Sequence, residues 1–408
     1  MKALKSSPDC LTTSTICFMI GMLVGVAQDP TPVEVNAADF TTLQAAFDAL
    51  HPSGGIVRLA PKRYDITEPL IVRTSDTLIQ GAGAATRIVN LNQGGQPALH
   101  IRSDEYDRSP DSRLWRIQMN HFRISGNSNS GDGILAEGIN EILISELSVD
   151  HNGGHGVNLL DCYEDPRVSD SILTYNAQAG LNIARGHDIV VNANQFEENN
   201  DGVRCTDSFN LTCNANNFDD HLRHGIVIEN TYGSVISGNM IEECQGLAML
   251  LDRDCYGMTL SSNVIAHDFE GGVDLRDAWG CAVSGNTFTI VHHFGVRVGP
   301  DSGRITITGN NFSNSYLGGG KHKRILEHDQ ITQIDVGSGV LLENTEDIVI
   351  SGNLFAGIDG KAIVCDPECE RILITGNIVR DFGRKKAVNF AIDKPSDKVS
   401  LVKDNIVH

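Results

Sequence analysis

The chain is poor in aromatic side chains and proline, and its positive charge falls well short of its negative charge. Of 408 residues, 2 are Trp, 7 Tyr, 14 Phe and 12 Pro, against 41 Gly. That balance suits many short strands separated by tight turns. Lys and Arg number 32 against 52 Asp and Glu, a formal charge of −20. So acidic a surface excludes nucleic-acid binding by general electrostatics. No Cys/His spacing matches a zinc site. The Leu-x-x-Leu-x-Leu repeat of a leucine-rich horseshoe is absent, and so are the roughly 40-residue blades of a propeller.

The first residues read as a signal peptide. Lys2 and Lys5 supply a positive start, an apolar run extends from Ile16 to Val26, and Gly25-Val26-Ala27 offers small residues for cleavage. The run is short for a bilayer span. Residues 1–27 are therefore expected to be removed, leaving a secreted or periplasmic chain without a membrane span. Loss of Lys2, Lys5 and Asp9 moves the charge from −20 to −21. Cys10 and Cys17 leave as well. Of the remaining cysteines, Cys365 and Cys369 flank one turn at a spacing open to a local disulfide. Cys205, Cys213 and Cys281 fall on inward strand positions as buried thiols.

The dominant signal is internal repetition. A glycine followed by alternating residues recurs as Gly133-Ile-Leu-Ala, Gly156-Val-Asn-Leu, Gly180-Leu-Asn-Ile, Gly202-Val-Arg-Cys, Gly225-Ile-Val-Ile, Gly272-Val-Asp-Leu, Gly295-Val-Arg-Val and Gly339-Val-Leu-Leu. Most intervals are 22 to 24 residues, and the 44 from Gly295 to Gly339 mark an insertion at 316–338. In phase with it runs apolar-x-apolar-x-x-Asn-x-apolar, through Asn194, Asn216, Asn239, Asn263, Asn286, Asn310, Asn353, Asn377 and Asn405.

Each coil thus holds three short strands: a first beginning at the glycine, a second ending two residues before the asparagine, and a third following it. Period-two alternation turns Val157, Val203, Ile226, Val273 and Val296 inward. The asparagines are placed at a tight turn, in a conformation with φ > 0, with their amides bonding between coils. The expected fold is all-β, a single-stranded right-handed parallel β-helix over 71–408. An N-terminal cap over 28–70 contains a helix from Asp39 to Leu50, with Phe40, Leu43, Phe47 and Leu50 on one face. That helix would shield the first coil, whose strand edges otherwise invite aggregation.

The helix Phe40-Thr-Thr-Leu-Gln-Ala-Ala-Phe, the segment Gly54-Gly-Ile-Val-Arg-Leu-Ala-Pro with Tyr64, the turn Gln80-Gly-Ala-Gly83 and the Ser-Gly-Asn-x-Ile/Phe coils together resemble the pectate-lyase-like superfamily. The resemblance implies the β-helix and a substrate groove along the first sheet. Its members include lyases, glycoside hydrolases, epimerases, tailspikes and adhesins, so it implies no single activity. Gly154-His155-Gly156 is similar to a polygalacturonase motif whose Asp partners are missing here. Asp165-Pro166 is similar to an epimerase motif whose histidine is Arg167 here.

Charge on the outward face of the first sheet concentrates in consecutive coils; before them the outward pairs are the bland Asn158/Leu160 and Asn182/Ala184, and after them Leu341/Glu343 and Ile363/Cys365. Arg204, Glu229, Asp274, Arg276 and Arg297 point out, with Asp274 and Arg297 direct neighbours on adjacent coils, and Asp207, Asn230, Asp252 and Asp277 follow at strand ends. Either these form a solvated ladder of ion pairs, or they line a sugar-binding face. On the second reading Asp274, Arg276, Asp252, Asp277 and Arg297 carry chemistry, while Arg204, Glu229, Asn230, Lys321, Lys323 and Arg324 bind substrate, the last three from the insertion. On the loops entering this sheet, Glu197-Glu198, Asp219-Asp220 and Glu242-Glu243 occupy equivalent places, between Asp150-His151 and His267-Asp268. Carboxylates about 5 Å apart repel by about 3 kcal/mol at an effective dielectric of 20. Splaying into water, retained protons or a calcium ion shared by Glu198, Asp220 and Glu243 would each relieve this.

The expected function is an extracytoplasmic polysaccharide-active enzyme, a lyase or glycoside hydrolase acting on an anionic glycan. The alternative is a non-catalytic carbohydrate-binding or structural β-helix. The oligomeric state is not legible.

Overall fold

The computed structural model describes residues 33–267, 270–313, 338–384, 387–396 and 399–408. Residues 1–27, expected to be a signal peptide, Asp268, and Lys321, Lys323 and Arg324 lie outside the described residues. Three parallel sheets run the length of the fold, with 12, 17 and 14 strands among the described residues. They correspond to the first, second and third strands of each coil. One coil contributes Asp201–Thr206 to the first sheet, Thr212–Asn214 to the second and Asn217–Asp219 to the third. No helix among the described residues is long and apolar enough to cross a membrane.

The inward columns stack as alternation requires. Val157, Leu181, Val203, Ile226, Met249, Val273, Val296 and Val340 are successive register partners and all are fully buried. Burying each such side chain contributes about 1.5–3 kcal/mol. On the third sheet Phe196 stacks on Phe218 at 4.9 Å between ring centroids, and Phe312 on Phe355 at 4.7 Å. These rings explain the recurrent glycine. A Cβ at Gly339 would lie 2.3 Å from the Phe355 ring, and one at Gly272 would lie 2.3 Å from the Gly295 carbonyl oxygen and 2.9 Å from Phe288. The motif keeps the head of each first strand thin enough for the aromatic column beneath it.

The asparagine ladder is continuous. Each Nδ2 donates to the Oδ1 one coil on, from Asn194 to Asn216 at 3.0 Å through to Asn377 and Asn405 at 2.9 Å. The left-handed backbone conformation belongs to the residue before each asparagine. Ala193, Ala215 and Ser262 have φ of 56°, 55° and 57°, and Gly238 has 64°. The asparagine is thus selected for its amide and not, as its spacing had implied, for tolerance of φ > 0. A second ladder joins Asn152, Asn176 and Asn199, each step 2.9 Å, at the turn into the first sheet. There His221 takes the next place, its Nδ1 accepting from the Asn199 backbone N–H at 3.3 Å. Burial pushes the His221 imidazole down to about 4.

The cap differs in detail from its pattern. A 3-10 turn at Ala37–Asp39 precedes a helix confined to Leu43–Asp48. The Thr42 side chain caps it, accepting from the Ala45 N–H at 3.1 Å. Leu43, Phe47 and Leu50 are buried as expected. Gln44 finishes the exposed edge of the first sheet. Its Oε1 accepts from the Ile71 N–H at 2.8 Å and its Nε2 donates to the Ile71 carbonyl at 3.1 Å, so one side-chain amide stands in for a missing strand.

Two other expectations are corrected. Cys365 and Cys369 are separate buried thiols, not a disulfide, and the Cys365 thiol points to the Asp366 carbonyl at 3.6 Å. Ile363 and Cys365, read as outward, face the core, and Val364 is outward, because Ile363 pairs with Val340. Ala362 replaces the usual glycine there, and a slip of one residue reverses every side chain. Cys205, Cys213 and Cys281 are buried, though Cys281 sits just before its strand.

Candidate functional site on the outer face of the first sheet

Asp274 and Arg297 are direct register partners on neighbouring strands. The Asp274 Oδ2 accepts from Arg276 Nε at 2.8 Å and lies 3.6 Å from Arg297 Nη1. Arg297 also reaches Glu343 across the next strand, with Nη2 2.6 Å from Oε2. The Asp274 side chain is only 1% exposed, whereas those of Arg276 and Arg297 are 44% and 32% exposed. Its Oδ1 is buried without a hydrogen-bond partner among the described residues. Burial raises the Asp274 carboxyl above the usual range, against the pull of Arg276 and Arg297. Asp274 therefore does not lie on the surface, as alternation alone implied. It is a buried anion beneath two guanidiniums.

A second node sits three coils back. Buried Asp201 accepts from Arg223 Nε at 2.7 Å, from Arg204 Nη1 at 3.2 Å and from the His224 backbone N–H at 3.2 Å. Burial alone would push its carboxyl up, but the Arg223 hydrogen bond and the neighbouring charges hold it below the usual range. Arg204 Nη2 also donates to Glu229 at 2.9 Å. Between the nodes the outward column runs Arg204, Val227, Leu250, Asp274. Val227, Leu247, Leu250 and Phe294 are buried there as a cluster separate from the main core. The face therefore presents two polar nodes divided by an apolar patch.

The remaining residues expected here do different work. Asp277 Oδ2 accepts from the Asp254 backbone N–H at 2.8 Å, and Asp252 Oδ1 from the Arg253 N–H at 2.8 Å. Both carboxylates are engaged in shaping a turn. Asn230 donates to Asp207 at 2.8 Å. Asp201, Arg223 and Glu343 belong to the nodes without having been singled out. Asp201 and Arg223 stand before their coil glycines, outside the alternating pattern, and Glu343 was read as part of a bland coil.

The acidic ridge forms, with one change of membership. Glu197, Asp219 and Glu242 are register partners, and each is followed by a left-handed residue, Glu198, Asp220 and Glu243. The carboxylates that converge are Asp219, Asp220 and Glu243, with one oxygen from each within 4.8 Å of the others. Glu198 is not in this group. Its place is taken by Asp219, because strand and turn positions interleave across coils. Burial, then Asp220 and the surrounding glutamates, push the Asp219 carboxyl up to about 6. An oxygen-only set of this kind fits a hard divalent cation.

A carboxyl whose folded pKa exceeds its unfolded value stabilises the fold while protonated, and that stability is lost as pH rises through the folded value. The ridge should thus weaken the fold progressively as pH rises from 3.8 to about 6, by about 1 kcal/mol once solvent screening is allowed for. At neutral pH calcium should raise Tm over that in chelator. Asp219→Asn should raise Tm in chelator and abolish the calcium response. Identical wild-type melting curves in calcium and chelator would leave the ridge as solvated carboxylates.

Residues 168–333 match the family model described as "Periplasmic copper-binding protein (NosD)". No curated protein matches the chain. Among solved structures, the A-module of the mannuronan C-5 epimerase AlgE6 from Azotobacter vinelandii is 18% identical with a TM-score of 0.50, covering 92% of this chain and 99% of that one. The periplasmic alginate epimerase AlgG is 12% identical at 0.57, covering 87% and 84%. The Agl-KA catalytic domain is 14% identical at 0.58, covering 85% and 69%. At these identities the likeness is one of fold, and by that fold the chain is a right-handed parallel β-helix.

Proposed function

We propose that the protein acts outside the cytoplasm on an anionic polysaccharide laid across the first sheet, with Arg276 and Arg297 meeting its carboxylate or sulfate groups. One observation carries this reading: two partly exposed guanidiniums are held side by side from below by one buried carboxylate, Asp274. Arginine's planar fork suits such acidic groups. The "periplasmic" in the matched family's description and the alginate epimerases among the structural neighbours support the compartment and the ligand class. Copper does not enter this reading, because the grouped ligands among the described residues are all oxygen and suit calcium better.

A β-elimination needs a uronate carboxylate neutralised while a base removes the adjacent proton, and Arg276 and Arg297 supply the first requirement. A hydrolysis needs two flanking carboxylates. Glu229 and Asp252 are register partners, but Glu229 is committed to Arg204. The arginines therefore favour elimination over hydrolysis. A non-catalytic role is favoured by one fact, that both arginines already have protein carboxylates as partners.

The test is a screen of uronate-containing, sulfated and neutral glycans for binding and for product release, with ultraviolet absorbance reporting an unsaturated uronate. Acidic glycans should bind, and Arg276→Ala and Arg297→Ala should each weaken binding about tenfold, the loss of one charge-assisted contact. Binding without product would assign the non-catalytic role. Binding of neutral and acidic glycans alike, untouched by either variant, would refute the reading.

A further inference from the structure

A cleft of about 700 Å³ opens on the third sheet and the turn that leaves it, on coils nearer the N-terminus than the first-sheet nodes. Its volume is that of a small-ligand site. Arg63, Arg87 and Arg123 are successive register partners on that sheet, so three guanidinium-bearing chains rise from strands about 4.8 Å apart. Carboxylates offset only the outer two. Arg63 pairs with Asp65 at 2.6 Å and Arg123 with Asp150 at 3.4 Å. Arg87 makes no ion pair among the described residues, its Nε donating to Ser125 Oγ at 3.1 Å. This contrasts with the first-sheet arginines, each of which is closed by a carboxylate.

Asp150 does a second job. It is buried, and its Oδ1 lies 2.8 Å from His151 Nδ1, which orients an imidazole 63% exposed to the cleft. His151 stacks on Tyr175 of the next coil, with centroids 5.0 Å apart and planes 18° from parallel. Both residues hold left-handed backbone conformations, with φ of 57°, so the turn projects both rings outward from the same place in adjacent coils. Tyr175 is 44% exposed. The result is a short stack of two rings beside an arginine with unused donors. Glu198 lines the far side, so the cleft runs from basic to acidic along the coil axis.

We propose that this cleft binds a uronate-bearing saccharide, its carboxylate on Arg87 and Arg123, its ring packed against the Tyr175–His151 stack and its hydroxyls donating to Glu198. The exposed Tyr175 ring supplies apolar contact at low entropic cost, and the guanidiniums supply the charge-assisted bonds. The site shares only its ligand class with the first-sheet reading.

The experiment titrates the full chain carrying Arg276→Ala and Arg297→Ala with a uronate trisaccharide, its carboxyl-reduced neutral counterpart and inorganic phosphate, by calorimetry. The trisaccharide should still bind this background. Adding Arg87→Ala or Tyr175→Ala should weaken it about tenfold with Tm unchanged, and the reduced counterpart should bind about as weakly as the Arg87→Ala variant binds the uronate. Affinity unaffected by either added variant would overturn the site, as would phosphate competing as well as the trisaccharide. Loss of all binding in the background would overturn it too, while leaving the first-sheet reading intact.

Discussion

Asn263→Ala should cost about 4 kcal/mol, several times an ordinary surface substitution. The Asn263 Nδ2 donates to Asn286 Oδ1 at 3.0 Å and to the Ile236 carbonyl at 3.1 Å. Its Oδ1 accepts from the backbone N–H and from Nδ2 of Asn239, both at 3.0 Å. Alanine leaves all of these partners buried and unmatched, each at about 1–3 kcal/mol before local relaxation. The loss should register as a lower denaturation midpoint and as faster amide exchange in the coils either side of Asn263, since each coil leans on its neighbours. Asn405, with less of its ladder covered, should tolerate the same change for about 1 kcal/mol. A loss at Asn263 no greater than at Asn405 would show that water substitutes for the ladder.

The second large effect is expected at Asp274. Alanine there removes the anion between Arg276 and Arg297 and leaves two like charges adjacent. Stability should fall by about 1–3 kcal/mol, and glycan binding should fall about a hundredfold as both guanidiniums lose their shared support. The diagnostic variant is Asp274→Asn, which keeps an acceptor for Arg276 Nε and loses the charge. If Asp274 positions the arginines, Asp274→Asn should raise KM while kcat stays within about threefold. A collapse of kcat with KM unchanged would instead mark Asp274 as a proton-transfer group in contact with substrate. Unchanged function with a large stability loss would make the node purely structural.

Much of this architecture was legible because its rules are local. Period-two alternation placed Val203, Ile226 and Val273 inward, and equal spacing placed Asn194 through Asn405 on one line. Register followed from the same spacing, which is why Asp274 and Arg297 emerged as neighbours. Alternation reports which side of a sheet a residue faces, but not what lies above it. Asp274 therefore read as exposed, although an outer apolar cluster and two arginine side chains enclose it. The carboxylates that converge differ by one member from the expected set for a related reason. Asp219 and Asp220 are adjacent in sequence, yet one ends a strand and the other begins a turn, and only coordinates show that both approach Glu243. The basic column of Arg63, Arg87 and Arg123 left a fainter trace, an arginine opening each third strand in coils that lack the ladder asparagine used to set the phase.

The ladder also bears on how this scaffold tolerates change. Asn310 and Asn353 are 43 residues apart, yet their Nδ2–Oδ1 bond is 3.0 Å, the same as between Asn286 and Asn310, which are 24 apart. By loop-closure entropy, the longer excursion costs only about 0.5 kcal/mol more than an ordinary coil. The coil junction after Ser313 thus behaves as a graft point, where new sequence can be spliced in or exchanged without renegotiating the frame. Ligand preference could drift quickly at that junction while the stacked interior stays fixed.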